Sequence, residues 1–468
     1  MYRNNSRKTF KFEALETRRM LDGNVTLSRA GNILTLTGDP SSNAVLIRDT
    51  QTGGGVIQII GLDTPGPNST LLPTHINSGT SQTMSGITGI VFNFNGGTTG
   101  LNTGDDAIVL TNLILTGGVT INSGDGSCFY GVGVFDPTVD NKVDLDIDPS
   151  LGTLTMGAVT LGQAMTINMG GGTNYLRVGQ ANFNGPAGND LAINAGEGST
   201  TASFDQTAVL HLANFTESPN SGSVILTLDH FSANYLNVQT SIGNDSISLT
   251  DGTHINAAIT MNLNLGDDVV DFDGVTAGSV SLLMGQGANE FTGTSDIITN
   301  GTSISGGAEA DTVDISGGST GSLTTTLAGG GNTISLTNLT IANAASIGGG
   351  LGTTTLADSV TLNNVTAGSL SMTAGTGNDT ISLSTVHVTK AFNIDTGSGS
   401  DTVTIDGLSA ASLWGMFDAG ADIVSVENTT ITGKAMFGGG VGTDTYNDNG
   451  GNTFGTLNKV NFELPAPE

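Results

Sequence analysis

A short motif recurs along this chain at nearly constant spacing. It has two or three small residues ending in Gly-x, then Asp or Asn, then apolar residues two and four places later, as in GTGNDTISL around Asp379 and GSGSDTVTI around Asp401. From residue 245 the Asp/Asn position recurs at 268, 289, 311, 332, 354, 379, 401, 422 and 444, in steps of 21 to 25 residues. Self-similarity at a fixed period of this length is typical of a solenoid, in which like coils stack on one another.

The register extends upstream with larger gaps. The same motif places Asp106 and Asn174 in the Asp/Asn position, and degenerate copies place Cys128, Thr200 and Thr354 there. Between residues 106 and 245 the visible steps are 22, 46, 26 and 45. These steps are interpreted as six coils, two of which lack a recognisable motif.

The apolar residues around the motif alternate with a period of two, which is the periodicity of a β-strand. Counting the Asp/Asn position as zero, positions +2 and +4 are apolar, as in Ile381 and Leu383. Positions −9 and −7 repeat the alternation before the turn, as in Phe392 and Ile394. Two or three short strands per repeat predict an all-β fold, a single-chain parallel β-helix with rungs of about 22 residues. A right-handed coil is expected from the general preference for right-handed crossovers.

The composition agrees with this architecture and excludes several functions. Glycine contributes 70 of 468 residues, which supplies the positive φ angles that tight corners require. The net charge of −29, with 13 Lys and Arg against 42 Asp and Glu, argues against partners rich in phosphate, such as nucleic acid and anionic membrane surfaces. No run of 18 apolar residues is present, so we expect no membrane insertion. The single cysteine excludes an internal disulfide framework.

Changes in charge and periodicity divide the chain into four segments. Residues 1–23 are basic and lack the apolar core of a secretory signal, so they are interpreted as a separate export or sorting segment. Residues 24–85 alternate as hairpins and are predicted to form an N-terminal β-cap. Residues 86–449 carry the β-helix repeats, and residues 450–468 are predicted to be a C-terminal cap or tail.

The segment FEALETRRML resembles the LEPR-XLL motif that opens many large secreted or surface proteins of planctomycete bacteria. Thr17 stands where that family has Pro. The resemblance implies an exported, extracellular or cell-surface protein. The matching residues are Phe12, Glu13, Ala14, Leu15, Glu16, Arg18 and Leu21.

The repeated G-x-G-x-D-x-apolar segment resembles the calcium-binding nonapeptide of RTX, or haemolysin-type, β-rolls. In that family, Asp carboxylates and backbone carbonyls hold Ca²⁺ between successive turns. Here one copy occurs per 22 residues rather than per nine. The resemblance therefore implies the chemistry of the loop but not the geometry of the site. The candidate Ca²⁺ ligands are Asp245, Asp268, Asp311, Asp379, Asp401, Asp422 and Asp444.

Stacked aspartates about 5 Å apart repel one another, and three arrangements can relieve the repulsion. The side chains can point outward into solvent, each capping its own turn. Some of them can be protonated. Alternatively, a hard cation such as Ca²⁺ can bridge neighbouring rungs. Asn289 and Asn332 in the same position favour the first arrangement, because Asn makes the turn without a metal.

Few features of the sequence indicate a catalytic site. A lyase acting on uronates needs basic side chains beside its substrate, and the repeats carry only scattered Lys and Arg. The two GDD segments, at 104–106 and 266–268, are explained by the repeat itself. Trp414, Phe417 and Phe437 could form a carbohydrate platform, although at strand spacing they are more typical of core packing. The histidines are dispersed, at His75, His211, His230, His254 and His387.

The sequence therefore predicts a non-catalytic, adhesin-like or structural rod at the cell surface. Its expected partners are extracellular polysaccharide or other surface proteins. The alternatives are a calcium-binding repeat module and a polysaccharide-active β-helix enzyme similar to pectate lyases.

Overall fold

The structure is a computed structural model, and it describes ten stretches of the chain. They are residues 23–50, 55–65, 71–94, 106–124, 126–134, 157–185, 188–219, 222–250, 252–350 and 356–463. Within them the fold is all-β, with 46 strands and no helix. No segment described there is a helix long and apolar enough to span a bilayer.

The strands follow one another along the whole described chain. Before residue 100 they are β1 (Asn24–Ala30), β2 (Ile33–Gly38), β3 (Ala44–Asp49), β4 (Val56–Gly61), β5 (Asp63–Pro65), β6 (Leu71–Pro73), β7 (His75–Ile76), β8 (Ser81–Ser85) and β9 (Gly89–Phe94). Up to residue 249 they are β10 (Asp106–Thr111), β11 (Leu113–Leu115), β12 (Val119–Ser123), β13 (Cys128–Gly133), β14 (Val159–Leu161), β15 (Met165–Asn168), β16 (Asn174–Gly179), β17 (Ala181–Phe183), β18 (Asn189–Ala195), β19 (Thr200–Asp205), β20 (Ala208–Val209), β21 (Leu212–Glu217), β22 (Val224–Asp229), β23 (Ser232–Gln239) and β24 (Ser246–Leu249).

The remaining strands complete the regular part of the coil. They are β25 (His254–Asn262), β26 (Val269–Asp273), β27 (Thr276–Gly285), β28 (Glu290–Thr294), β29 (Ile297–Gly306), β30 (Thr312–Ser316), β31 (Ser319–Thr320), β32 (Leu323–Thr326), β33 (Thr333–Thr337), β34 (Thr340–Gly348), β35 (Ser359–Asn363), β36 (Thr366–Thr376), β37 (Thr380–Ser384), β38 (His387–Ser398), β39 (Thr402–Asp406), β40 (Ser409–Met416), β41 (Ala419–Gly420), β42 (Ile423–Glu427), β43 (Thr430–Gly438), β44 (Val441–Gly442), β45 (Thr445–Asp448) and β46 (Thr453–Val460).

The predicted parallel β-helix is confirmed. Successive coils stack in parallel with a spacing of about 22 residues and form a β-solenoid of about 15 turns. In the regular part, each coil adds one short strand to an 18-stranded sheet and then one or more strands to a 26-stranded sheet. Within the 18-stranded sheet, β37 pairs with β39 in register, so that Ile381 lies opposite Val403. Stacking of about 15 rungs at the usual strand spacing gives a rod of roughly 70 Å.

The corners of each coil have a local cause. Between the two sheets, a single residue in the left-handed conformation turns the chain from one sheet into the other, for example Asn338 at φ 54° and Asn428 at φ 49°. Asn tolerates this conformation better than most residues with a side chain. A second corner bends the long strands of the 26-stranded sheet, where the register shifts between Ala367 and Leu370 of β36. These two corners make successive coils superimposable.

The interior of the coil is one continuous apolar core. Positions +2 and +4 of the repeat point inward, and Ile381 and Leu383 are each 1% exposed. Positions −9 and −7 are also buried, as Phe392 and Ile394 show. Aromatic rings pack edge to face within this core, for example Phe272 and Phe291 with ring centroids 5.4 Å apart. The predicted inward face of each strand is therefore correct.

Antiparallel pairing among the described strands is confined to the first part of the chain. It joins β1 to β2, β3 to β4, β4 to β8, and β5 to β6. The same region continues into the coil through parallel pairs, because β2 pairs with β9 and β3 pairs with β10. At the other end β46 extends the stack by pairing in parallel with β43.

The structure corrects the number of coils between residues 106 and 245. β13 pairs directly with β16, so the step of 46 residues from Cys128 to Asn174 is one coil with an insertion. The step of 45 residues from Thr200 to Asp245 is two coils, and Val224 occupies the intermediate position opposite Thr200. Five steps therefore span this region instead of six. Strand pairing determines the number of coils. Spacing alone does not, because a long insertion lengthens one step without adding a coil.

Candidate functional site: a buried Asp/Asn ladder

One column of polar side chains runs inside the regular part of the solenoid, and we call it the Asp/Asn ladder. Each member lies just before a strand of the 18-stranded sheet and is at most 4% exposed. The column contains the seven aspartates that the sequence singled out. The members of the ladder are Asp245, Asp268, Asn289, Asp311, Asn332, Asp358, Asp379, Asp401, Asp422 and Asp444.

Each rung of the ladder is joined to the next by a side chain. The backbone N–H of each member donates to Oδ1 of the member one coil further along, at 2.6 to 3.1 Å. The backbone carbonyl of the same member accepts the N–H of a residue in that next coil, as Asp379 does from Thr402 at 2.8 Å. The side chain thus satisfies a buried donor at a corner where no backbone acceptor is available.

Two residues outside the motif extend this pattern. The N–H of Val224 donates to Oδ1 of Asp245 at 2.7 Å, so the ladder reaches one coil further toward the N-terminus. At the other end the N–H of Asp444 donates to Oε2 of Glu463, which takes the place of the next aspartate. Nearer the N-terminus, the N–H of Asn43 donates to Oδ1 of Asp106 at 2.8 Å. The same device therefore recurs in a coil far from the regular repeats.

The second carboxyl oxygen of each predicted aspartate has a different environment. Oδ2 is buried and accepts no hydrogen bond in Asp245, Asp268, Asp311, Asp379, Asp401, Asp422 and Asp444. Some of these oxygens lie against glycine backbone: a Cβ at Gly306 would lie 1.9 Å from Oδ2 of Asp311, and one at Gly439 would lie 2.6 Å from Oδ2 of Asp444. These two oxygens therefore lie against glycine backbone and are removed from water.

This environment raises the pKa values of seven ladder aspartates. Burial is the largest cause, because removal from water disfavours the charged form. It raises the pKa of Asp268 to about 7, where the negative charges of Asp245, Asp267 and Glu217 act in the same direction. The pKa values of Asp358, Asp401 and Asp422 rise to about 6, and those of Asp245, Asp311 and Asp379 are also raised. Hydrogen bonds from the neighbouring N–H groups oppose these shifts.

The outward-pointing arrangement of the aspartates is wrong. Asp379 is 2% exposed and Asp422 is fully buried, so these side chains do not extend into solvent. Their acceptor oxygens bond the neighbouring coil rather than their own turn. The physical reason is that the N–H of the previous coil needs an acceptor, and a carboxyl or amide group at this position can reach it. Asn289 and Asn332 fit because they offer the same Oδ1 without charge.

Calcium at these aspartates stays a prediction, and the geometry offers it few ligands. Ca²⁺ takes six to eight oxygen ligands. In the ladder, Oδ1 and the backbone carbonyl are both committed to N–H donors, as in Asp379. Oδ2 is buried as well, and at Asp311 and Asp444 it lies against glycine backbone.

One ladder member was missed by the spacing argument. The spacing predicts Thr354 in the Asp/Asn position, and this residue lies outside the described part of the chain. The position belongs to Asp358, whose Oδ1 accepts the N–H of Asn332 and whose N–H donates to Asp379. The apolar residues Val360 and Leu362 at +2 and +4 are the signal that identifies Asp358.

A smaller polar cluster lies on the surface at another corner. Ligand-type atoms of Asp205, Asp229 and His230 lie within 4.8 Å of one another. His230 Nδ1 is 2.8 Å from Oδ1 of Asp229, and Thr250 donates to the same oxygen at 3.1 Å. These groups are exposed or half-buried and satisfy one another. The sequence alone does not bring them together, because Asp205 lies in the coil before Asp229 and is placed opposite it only by the pairing of β19 with β22.

The aromatic residues near the C-terminal end do not form one surface. Phe417 and Phe437 are fully buried, as expected for core residues. Trp414 is 45% exposed, and Nζ of Lys434 lies 5.7 Å from its ring centroid. A single exposed ring does not make a platform. The residues of the predicted sorting motif, Phe12 to Leu21, lie outside the described residues.

An acid–imidazole pair lies within the stretches that the structure describes: Nδ1 of His211 is 2.9 Å from Oδ2 of the buried Asp190. A shallow groove of about 400 Å³ is lined by one acidic residue, Glu217, and by neutral residues such as Gln239 and Asn264. It contains no Lys, Arg or His to act as a base or to bind an acidic sugar. In the second GDD segment, Asp268 belongs to the ladder, and Asp267 accepts the N–H of Ala288 at 2.8 Å. This segment is therefore an ordinary corner of the coil.

Comparisons with known proteins assign the chain to no family. No protein-family model, no curated protein and no solved structure matches the chain.

Proposed function

We propose that the chain is a non-catalytic structural rod, adhesin-like and located outside the cell or at its surface. The observation that carries this proposal is the unbroken Asp/Asn ladder, which extends from Val224 to Glu463. Side chains that would be the acids of an enzyme are here hydrogen-bond acceptors between coils. The polar interior of the repeats is thus used for cohesion of the stack.

The outer surface supports the same function. On the 18-stranded sheet, outward positions carry mostly small hydroxyl and acidic residues, such as Thr312 and Asp314 of β30, although Val269 and Ile423 are also exposed there. The chain has a net charge of −29, so its surface favours partners that are neutral or cationic. Extracellular polysaccharide and other surface proteins are the partners that we propose. The resemblance of residues 12–21 to LEPR-XLL segments supports export.

Two experiments on the full chain test this proposal. Antibodies to the solenoid, applied to intact cells of the source organism, should label the surface, and deletion of the gene should reduce attachment or disturb the surface layer. Labelling only after permeabilisation would contradict the surface location. In a second experiment, purified protein is incubated with neutral and uronate-containing polysaccharides, with reducing ends and unsaturated products as the readout. We expect co-sedimentation with the neutral polysaccharides and no product from either class, whereas steady turnover would establish an enzyme instead.

A further inference from the structure

The basic side chains of the regular coils are confined to one part of the surface. Beyond Arg177 the only Lys or Arg residues of the chain are Lys390, Lys434 and Lys459. They lie on β38, β43 and β46, and all three are exposed. These strands form the C-terminal part of the 26-stranded sheet. A rod that is acidic elsewhere therefore carries its positive charge on one sheet near one end.

An exposed tryptophan lies among these lysines. Trp414, the single tryptophan of the chain, is on β40, which pairs with β38 on one side and with β43 on the other. Its side chain is 45% exposed, and Nζ of Lys434 lies 5.7 Å from its ring centroid. Because β43 pairs with β46, four successive rungs each carry a lysine or the tryptophan. We call Lys390, Trp414, Lys434 and Lys459 the Lys/Trp patch.

The positive charge of the Lys/Trp patch is not neutralised within the chain. The structure gives none of its lysines an ion-pair partner among the described residues. On the four strands of the patch, Asp395 is the one exposed acid, and the outward neighbours are otherwise uncharged apart from His387. Tryptophan is enriched among the residues that anchor protein interfaces. These features are typical of a surface that binds an acidic partner.

A surface of opposite charge lies on the other sheet, in earlier coils. It is formed by β19, β22, β24, β26, β28 and β30, which pair in this order. These strands contain no Lys or Arg, and two apolar side chains are exposed among their acids, Ile225 at 48% and Val269 at 43%. We call this surface the acidic face. Its outward acids are Asp205, Asp229, Asp271, Asp273, Glu290 and Asp314.

The two surfaces are complementary in charge, in apolar content and in spacing. Lysines on one correspond to carboxylates on the other, and the ring of Trp414 corresponds to the exposed Ile225 and Val269. Both surfaces repeat at the strand spacing of about 4.8 Å, so successive rungs of one can face successive rungs of the other. The surfaces lie on different sheets of one rod, so they cannot meet within a chain. A second copy brings them together.

The large net charge does not prevent such a contact. Repulsion between exposed charges is largely screened beyond about 8 Å at physiological ionic strength. Pairing of opposite charges at the contact is therefore weighed against the acids nearest to it rather than against the whole rod. Next to the Lys/Trp patch, the exposed acid of its own strands is Asp395.

We propose that the Lys/Trp patch of one copy docks on the acidic face of a second copy, so that rods associate side by side with an offset along their axes. The contact is heterologous, and each docked copy keeps one unused surface, so association continues into a chain of copies. The proposal adds a contact between copies to the structural role proposed above. It does not depend on where the rod is located, so an intracellular location would overturn the surface role alone.

The test is sedimentation velocity of the full chain over about a hundredfold range of concentration, at physiological ionic strength and with EDTA present. One variant reverses the patch, Lys390→Glu with Lys434→Glu, and another reverses the face, Asp273→Lys with Asp314→Lys. The matched control is Glu197→Lys with Glu427→Lys. It changes the net charge as much as the face variant does, at exposed positions outside both surfaces.

The wild-type chain should form larger species as its concentration rises, and the control should do the same. Reversal of the patch or of the face should weaken association about tenfold, and so should Trp414→Ala. A mixture of the two reversed variants should associate again, because each then offers the charge that the other lacks. Circular dichroism checks that every variant is folded.

Three outcomes would overturn the proposal. The first is a wild-type chain that stays monomeric at every concentration. The second is a loss of association in the control as large as in the face variant, because net charge would then explain the effect. The third is a mixture of reversed variants that does not associate. Binding of alginate by a monomeric wild-type chain, lost on reversal of the patch, would assign the patch to an acidic polysaccharide instead.

A measurement on the wild-type chain keeps the test decisive if a variant does not fold. Unlabelled and ¹⁵N-labelled copies are mixed and treated with a carbodiimide, which joins a lysine amine to a carboxylate that it contacts. Mass spectrometry should find peptides of mixed label that join Lys390 or Lys434 to the strands of the acidic face. Absence of such peptides in a sample that sediments as oligomers would refute this docking.

Discussion

Among the described glycines, Gly306 is the one at which an added Cβ would lie nearest to a ladder carboxyl oxygen. A Cβ added there would lie 1.9 Å from Oδ2 and 2.7 Å from Cγ of Asp311, and 3.0 Å from Cδ2 of Leu327. The backbone of Gly306 is not in the left-handed region, so an alanine is excluded only by these contacts. We therefore expect Gly306→Ala to destabilise the solenoid by displacing the carboxyl group of Asp311.

The expected loss in the free energy of unfolding follows from the hydrogen bonds that this displacement breaks. Oδ1 of Asp311 accepts the backbone N–H of Asn289 at 3.1 Å and its side-chain amide at 3.0 Å. A buried donor left without a partner costs about 1–3 kcal/mol, and overpacking of a core costs about 1–3 kcal/mol. Replacing Gly by Ala returns about 0.4–1 kcal/mol through the unfolded chain. The expected net loss is about 3 kcal/mol in the free energy of unfolding.

A matched control and a double variant make this prediction refutable. At Gly349 the nearest atom to an added Cβ is Oδ2 of Asp358 at 3.5 Å, an ordinary contact, so Gly349→Ala should change stability by less than about 1 kcal/mol. Urea unfolding monitored by circular dichroism measures all variants. In Gly306→Ala with Asp311→Ala, removal of the carboxyl group relieves the clash, so the loss should be smaller than the sum of the two single losses. Simple additivity, or equal effects at Gly306 and Gly349, would show that contact with the carboxyl does not explain this glycine.

Two further substitutions test the core and the end of the ladder. Phe392→Ala removes a fully buried ring, so we expect a loss of about 3–5 kcal/mol in urea unfolding, whereas Asn393→Ala on the exposed face of the same strand should be nearly neutral. Similar losses for the two variants would mean that the core is not close-packed there. Glu463→Ala removes the acceptor of the Asp444 N–H, so hydrogen exchange of that amide should accelerate by about tenfold. Glu427→Ala, on an exposed position, should leave that exchange rate unchanged, and no acceleration in Glu463→Ala would argue against Glu463 as the end of the ladder.

Much of the fold could be predicted because stacking makes the repeat visible. Each coil must place like residues above like residues, so position +2 is Ile381 in one coil and Val403 in the next, and these two residues lie opposite each other. The same logic fails where a coil carries an insertion. β13 pairs with β16 although 46 residues separate Cys128 from Asn174, and only strand pairing reveals that this is a single step.

The missed member of the ladder shows how spacing and chemistry can disagree. A regular step from Asn332 leads to Thr354, but the residues at +2 and +4 from Thr354 are Leu356 and Asp358, and the second is not apolar. From Asp358 the same positions are Val360 and Leu362, which are 3% and 0% exposed. The inward alternation, which reflects packing, is therefore a better guide than the interval, because loops at the corners vary in length.

The burial of the aspartates could have been inferred from the same alternation. Residues two apart on a strand point to the same side, so if positions +2 and +4 face the core, position zero faces it as well. Around Asp311 the pattern holds, since Asp311 and Val313 are buried while Asp314 is exposed. The polarity of aspartate argued for solvent, yet the N–H of the previous coil supplies the partner that a buried oxygen needs. The two Asn members could have been interpreted in the same way, since an amide oxygen meets that need without a charge. In this repeat Asp and Asn therefore serve the same structural need, because either side chain offers the Oδ1 that the N–H of the previous coil requires.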